Sequence, residues 1–188
     1  MPGAAHSTRL FLALWPKDIA RDQLAKLARQ LADDCSGRCI QSKNLHLTLA
    51  FMGEIDPGNI PRLCQAAPII QQSPFNLTLD KIHFWKKAGV VVAGTSQCPA
   101  ELTALVQDLQ HLLSALKIRY DDTHPFTPHV TLIRNVRHCS LPDSIQAIDW
   151  PVTQWSLVQS QQTPHESVYQ SLADWALEPQ DSDEHHRA

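Results

Sequence analysis

The chain has 188 residues, of which 43% are hydrophobic and 19% charged, so its length fits one domain with a substantial hydrophobic core. Its formal net charge of −3, from 16 Lys and Arg against 19 Asp and Glu, excludes a strongly basic coat for nucleic acid. Ten histidines stand against two methionines and two tyrosines, and histidine is the side chain whose charge changes near neutral pH.

The spacing of apolar residues predicts an α+β fold. Strands are predicted at 9–15, 45–51, 75–79, 89–94 and 130–136, with weaker candidates at 155–161 and 168–177. Helices are predicted at 17–35, 59–71 and 102–116. This order indicates two similar halves in a single domain over 9–177, with flexible tails at 1–8 and 178–188.

The sequence favours a cytoplasmic monomer that contacts no membrane and needs no metal or other cofactor. The short apolar run from Leu10 to Trp15, closed by Pro16, is too short for a secretion signal or a membrane span. Five cysteines, with no Cys-x-x-Cys pair, predict reduced thiols without disulfides. No Asp or Glu stands at a spacing that would complete a metal site with histidine.

Two short stretches stand out, His46-Leu-Thr48-Leu49 and His129-Val-Thr131-Leu132, because each lies in an apolar strand of a different half. Chance predicts roughly half a His-x-Thr match in such a chain. A third match, His6-Ser-Thr8, lies in the polar N-terminal tail, and we interpret it as accidental. Because strand side chains alternate, the histidine and threonine of each stretch share one face. By the same rule, Leu47, Leu49 and Phe51 are expected on the opposite face.

If the two halves face each other, the cleft between them receives two imidazoles and two hydroxyls. One neutral imidazole can accept a proton, and the other, when protonated, can donate one. Threonine hydroxyls can hydrogen-bond the non-bridging oxygens of a phosphate, where charge develops. The pattern therefore indicates phosphodiester chemistry without a metal.

The chain resembles the two-histidine phosphoesterase superfamily, and within it the RNA 2′,3′-cyclic phosphodiesterases. The resemblance is carried by Arg9-Leu-Phe-Leu-Ala, Asn44-Leu-His-Leu-Thr-Leu-Ala-Phe-Met-Gly-Glu54, Pro125-Phe-Thr-Pro-His-Val-Thr-Leu-Ile-Arg134 and Tyr169…Leu172…Trp175. It implies a bilobal α+β fold of two pseudo-symmetric sheet-plus-helix lobes around a central cleft. It also implies hydrolysis of a 2′,3′-cyclic phosphate to a 2′-phosphate without metal.

The same resemblance implies roles for four residues: His46 as proton donor, His129 as proton acceptor, and Thr48 and Thr131 as phosphate ligands. The substrates would be RNA termini or small cyclic nucleotides. Two alternatives stay open, namely RNA 2′-5′ ligation by the same groups and a non-catalytic RNA- or nucleotide-binding module.

Three further residues are candidate substrate contacts: Arg134, Phe126 and Trp85. Alternation places Arg134 on the face opposite His129 unless the strand contains a bulge. Phe126 would line the cleft beside the base, and Trp85 with two following lysines resembles a stacking residue for single-stranded nucleotides. His124 stands where relatives often carry arginine. We therefore expect a small phosphate contact and not a broad basic surface.

Overall fold

The computed structural model describes residues 8–162 and 167–179. Strands and helices alternate in the first part of the chain, and the last helix is followed by four consecutive strands. The helices are α1 (Asp18–Ala32), α2 (Asn59–Ala66) and α3 (Ala100–Ala115), with single 3₁₀ turns at Ser42–Asn44 and Ala67–Ile69. The strands are β1 (Thr8–Leu14), β2 (Arg38–Cys39), β3 (Leu47–Ile55), β4 (Phe75–Leu79), β5 (Lys81–Trp85), β6 (Val90–Gly94), β7 (His129–Arg134), β8 (Ile148–Val152), β9 (Gln154–Gln162) and β10 (Ser167–Ala176).

The main sheet consists of two half-sheets that meet at its centre. The strand order is β10-β9-β1-β3-β7-β6-β5, with β2 paired to β7. All of the pairings are antiparallel, and β3 joins β7 through the single pair Leu47↔Val130. This junction divides the molecule into the two lobes of the predicted α+β fold.

The helices bury the apolar faces that their periodicity predicts. In α1 the buried residues include Leu24, Ala28 and Leu31, spaced three or four apart, and in α3 they include Leu105 and Leu109. Helix α1 packs against β7 and β8, whereas α3 packs against β3. Each long helix thus supports one strand of the central junction. No helix in the described part of the chain is long and apolar enough to cross a membrane.

The sequence-based prediction missed three strands, β2, β5 and β8, and misplaced several ends. Strand β8 contains Pro151 and pairs only with β4 in a separate two-stranded sheet, where a proline without an amide hydrogen is tolerated. The predicted helix 59–71 ends at Ala66 because Pro68 follows, and a 3₁₀ turn replaces its last part. Thr8 already pairs with Ile55, so β1 begins inside the predicted N-terminal tail. Residues 1–7 and 180–188 of the predicted tails lie outside the described residues.

The prediction that all five cysteines are free thiols is wrong for two of them. Cys35 and Cys139 form a disulfide, with Cα atoms 4.0 Å apart across an isolated antiparallel bridge. No local pattern could indicate this pair, because 104 residues separate the two cysteines and the antiparallel pairing around β2 and β7 brings them together. Cys39, Cys64 and Cys98 are free.

Candidate active site

The two motif histidines flank the junction between the lobes. Leu47 of β3 pairs with Val130 of β7, and His46 and His129 immediately precede these two residues in the chain. Because the strands are antiparallel, one backbone pair fixes the positions of both imidazoles. Their separation is small enough that a charge on His129 influences the protonation of His46.

Each imidazole is held by a main-chain carbonyl two residues before it. The Nδ1 atom of His46 lies 2.7 Å from the carbonyl oxygen of Asn44, and the Nδ1 atom of His129 lies 2.7 Å from that of Thr127. A carbonyl oxygen only accepts hydrogen bonds, so Nδ1 must carry the hydrogen in both rings. Both Nε2 atoms are therefore left to accept or donate a proton.

Asn44 holds the first of these carbonyls in place. Its buried side chain donates from Nδ2 to the carbonyl oxygen of Ser167 on β10, at 3.0 Å. One residue thus ties the 3₁₀ turn to the edge of the sheet and orients His46 with its main chain.

A bulge follows the threonine in both motifs and changes which side chains face the cleft. The pairing of β1 with β3 skips Leu49, and the pairing of β6 with β7 skips Leu132. Two consecutive residues are buried at each point, so the alternation shifts by one. Phe51 consequently lines the cleft with Thr48, contrary to the alternation expected from the sequence. Arg134 lines it with Thr131 for the same reason.

Two cavities meet at His46, and together they form the cleft. The larger, of about 340 Å³, reaches from His46, Thr131 and Arg134 towards β2. The smaller, of about 100 Å³, contains Thr48 and also borders Arg134. The cleft therefore collects both threonines and Arg134 around one imidazole.

The cleft is more cationic than the sequence suggested. Arg9 lines the smaller cavity, with its guanidinium 4.9 Å from the centre of the Phe51 ring, and Arg38 lines the larger cavity. The described linings of both cavities contain no Asp or Glu. Over the described residues, no three His, Cys, Asp or Glu side chains are grouped as a metal site would require. The cleft is thus suited to an anion.

Aromatic rings surround His46. The centres of the Phe11, Trp15 and Tyr169 rings lie 5.0, 5.3 and 5.1 Å from the centre of its imidazole. Trp85 lies against His129 instead, at 4.5 Å between ring centres. Alternation along β1 places Phe11 and Trp15 on one face with Arg9, a pattern that could have revealed this wall from the sequence.

Phe126 does not line either cavity around His46. It packs against the main core and borders a separate cavity of about 570 Å³ with Tyr120 and His124. The two prolines at 125 and 128 keep this segment outside regular strand structure until β7 begins at His129. Phe126 therefore borders a different cavity from those that contain His46, and its contact with substrate stays a prediction.

Burial and positive charge both disfavour protonated imidazoles in the free protein. The pKa of His46 is lowered from 6.5 to about 4, mainly by loss of water; the hydrogen bond to Asn44 opposes this shift, and the charges of Arg134 and His129 add smaller reductions. The pKa of His129 is also lowered, first by burial and then by Arg134. Both rings are therefore mainly neutral at pH 7 in the free protein.

This shift makes the stability of the free protein depend on pH. Between pH 6.5 and 4 the unfolded chain binds a proton at His46 that the folded chain does not, so acidification favours unfolding. We expect His46 to remove about 3 kcal/mol from the free energy of unfolding by pH 4, at about 1.4 kcal/mol per pKa unit.

Urea unfolding measured at several pH values checks this expectation. His46→Gln should flatten the dependence between pH 6.5 and 4, whereas the exposed His111→Gln should follow the parent protein. An unchanged slope in His46→Gln would contradict the assigned pKa.

The matched stretches at the start of β3 and β7, each with a histidine, a threonine and a bulged leucine, are the pattern of a two-histidine phosphoesterase. Comparison with known proteins agrees. Residues 14–92 match the model of the LigT-like phosphoesterases, and residues 95–175 match that of the cyclic phosphodiesterase-like proteins.

Individual relatives cover nearly the whole chain. An RNA 2′,3′-cyclic phosphodiesterase of Escherichia coli (strain K12) is 33% identical over 171 residues, which span 90% of this chain and 96% of the relative. One from Archaeoglobus fulgidus is 25% identical over 174 residues, spanning 87% of this chain and 97% of the relative. The crystal structure of E. coli LigT with 3′-AMP superposes with a TM-score of 0.84 at 31% identity, covering 92% of this chain and 99% of that one. The chain therefore belongs to the LigT-like phosphoesterase family and is a hydrolase of the cyclic phosphodiesterase class.

Proposed function

We propose that the protein opens the 2′,3′-cyclic phosphate of an RNA or nucleotide end to a 2′-phosphate, with His46 and His129 as the proton carriers and without metal. One observation carries the proposal: on the two sides of the β3–β7 junction, both Nδ1 atoms are fixed on main-chain carbonyls, which leaves the two Nε2 atoms for proton transfer. Related crystals support a nucleotide ligand, since E. coli LigT has been crystallised with 3′-AMP and with ATP.

In the proposed reaction, water attacks phosphorus and the bond from phosphorus to O3′ breaks. Nε2 of His129 takes the proton from the attacking water, and protonated His46 gives its Nε2 proton to O3′ as it leaves. The product is a 2′-phosphate with a free 3′-hydroxyl. The exchanged protons then return to their starting positions through solvent.

Three side chains would hold the non-bridging oxygens during this step. The hydroxyls of Thr48 and Thr131 lie on the two sides of the junction, and Arg134 borders both cavities. A guanidinium can donate two parallel hydrogen bonds to a phosphate, and its charge offsets the negative charge that develops in the transition state.

Binding of the substrate anion favours protonation of the imidazole that acts as the acid. A phosphodiester anion beside Arg134 offsets the positive charge that keeps the pKa values of both imidazoles low. One imidazole can then take up a proton while the other stays neutral. Substrate binding thereby creates the protonated and neutral pair that the reaction requires.

An oligonucleotide that ends in a 2′,3′-cyclic phosphate tests the proposal when it is incubated with the protein in excess chelator. We expect a product with a 2′-phosphate and a free 3′-hydroxyl, identified by ³¹P NMR. A 3′-phosphate product would contradict the direction of ring opening, and loss of activity in chelator would contradict the metal-free mechanism. Joined strands would favour ligation, and binding without turnover would favour a non-catalytic module. The cytoplasmic, monomeric state stays a prediction.

A further inference from the structure

The larger cavity extends well beyond the space that a phosphate needs. Its wall includes Arg38 and the polar side chain of Gln41, in addition to His46, Thr131 and Arg134. Its volume of about 340 Å³ exceeds that of one water molecule, about 30 Å³, by roughly tenfold. The smaller cavity on the Thr48 side has room for only a few water molecules, at about 100 Å³. If a phosphate lies at His46, then of the two cavities that the described residues form there, the one on the β2 side has room for the attached nucleoside.

Arg38 lies at the far side of this larger cavity, one strand beyond Arg134. The two residues are direct partners in the pairing of β2 with β7, so their side chains share the face that borders the cavity. Neighbouring strands are about 4.8 Å apart, and arginine has a long side chain. Two guanidinium groups can therefore bind two phosphates that belong to the same ligand.

The position of Arg38 is fixed by close packing of the preceding residue. A side chain on Gly37 would place its Cβ atom 2.7 Å from Ile133 and 2.8 Å from the carbonyl oxygen of Arg134. Only glycine permits this contact between β2 and β7. The nearby disulfide between Cys35 and Cys139 joins the same two segments. Arg38 therefore lies on a strand that is held in place by the packing at Gly37 and by the disulfide.

We propose that the larger cavity binds the terminal nucleoside of the substrate and that Arg38 binds the phosphate on the 5′ side of that nucleoside. This inference rests on the proposed function, which places the cyclic phosphate at His46 and Arg134. The preferred substrates would then be nucleotide ends whose terminal nucleoside carries a 5′-phosphate. In an RNA strand this phosphate is the one that links the terminal nucleoside to the preceding nucleotide. A cyclic nucleotide with a 5′-hydroxyl lacks the group that Arg38 recognises.

The test compares two cyclic nucleotides of the same base, one with a 5′-hydroxyl and one with a 5′-phosphate, in the wild type and in Arg38→Gln. We expect the 5′-phosphate to raise kcat/KM of the wild type about tenfold or more, because hydrogen bonds between charged groups are among the stronger ones. Arg38→Gln should lose most of this increase, so that its kcat/KM values on the two substrates become similar. The exposed Arg119→Gln, which lines neither cavity, should retain the increase.

A cyclic-ended oligonucleotide gives a second readout. For this binding, the slope of log K against the logarithm of the salt concentration should be shallower in Arg38→Gln. The difference should be about the contribution of one phosphate contact on a single strand. Arg38→Lys should restore part of the salt dependence, because it keeps the charge, but not the full preference for the 5′-phosphate.

Two outcomes would overturn the inference: a wild type that does not discriminate between the two substrates, or an Arg38→Gln variant that loses activity equally on both. Failure of the proposed function is distinguishable, because it would show as no ring opening of either substrate. In that case calorimetry with the two 2′-phosphate products still decides the inference. Tighter binding of the 5′-phosphorylated product that depends on Arg38 supports it, and equal binding of both products contradicts it.

Discussion

Replacement of His46 or His129 by alanine is expected to lower kcat by about 10²–10⁴-fold in each case, because each variant loses one of the two proton transfers. The fold should persist, since both residues are only partly buried. Steady-state rates on a cyclic-ended oligonucleotide measure the loss, and circular dichroism checks the fold.

The double variant distinguishes cooperation from independent effects. If the two imidazoles act in one step, removing both should cost little more than removing one. The matched control is His83→Ala, an exposed histidine on β5 that should retain near-wild-type turnover. A near-full rate in either single active-site variant would contradict the paired acid–base mechanism.

Arg134→Gln is expected to lower kcat/KM by about 10²–10³-fold, the range found when one donor to a developing negative charge is removed. The pH profile should change as well. The charge of Arg134 lowers the pKa of both His46 and His129, so its removal should raise both pKa values. Both limbs of the bell-shaped kcat/KM profile should therefore move to higher pH.

Arg137→Gln provides the matched control for this shift, because Arg137 is exposed and close in sequence but lines neither cavity. Its profile should coincide with that of the wild type. A profile of Arg134→Gln that is reduced in height but unmoved along the pH axis would show that Arg134 only binds substrate.

The apolar periodicities were sufficient to predict the α+β class, the three helices and most strands of the main sheet. They failed where strand character depends on a partner and not on local pattern. This applies to β8, which contains a proline that only an edge position tolerates. Strand β5 does alternate polar and apolar residues, but it was overlooked because only Asp80 separates it from β4.

The part of the candidate site that lies within the two His-x-Thr motifs could be predicted from the sequence. His46, Thr48, His129 and Thr131 are local in sequence, and the structure brings them to one junction. The face of β3 on which Phe51 lies was predicted wrongly, because the bulge at Leu49 depends on how β3 pairs with β1. The same reason left the position of Arg134 open until the pairing with β6 was known.

Arg9 and Arg38 were missed as cleft residues, which led to an underestimate of the positive charge there. Arg9 lies at the start of an apolar strand, and Arg38 lies in a strand of only two residues that has no periodic pattern. The net charge of −3 averages over the whole surface and conceals a local cluster of arginines. Three dimensions were needed to show that these side chains border one cleft.

The central claim is that both motif imidazoles exchange protons through Nε2, and ¹⁵N NMR of histidine-labelled protein tests it most directly. His46→Ala and His129→Ala assign the two signals, and a nucleoside 2′-phosphate serves as the bound anion. At pH 7 we predict that both free rings are neutral with the hydrogen on Nδ1, and that anion binding protonates one of them at Nε2. A neutral ring with its hydrogen on Nε2 in either residue, or no proton uptake when the anion binds, would contradict the account.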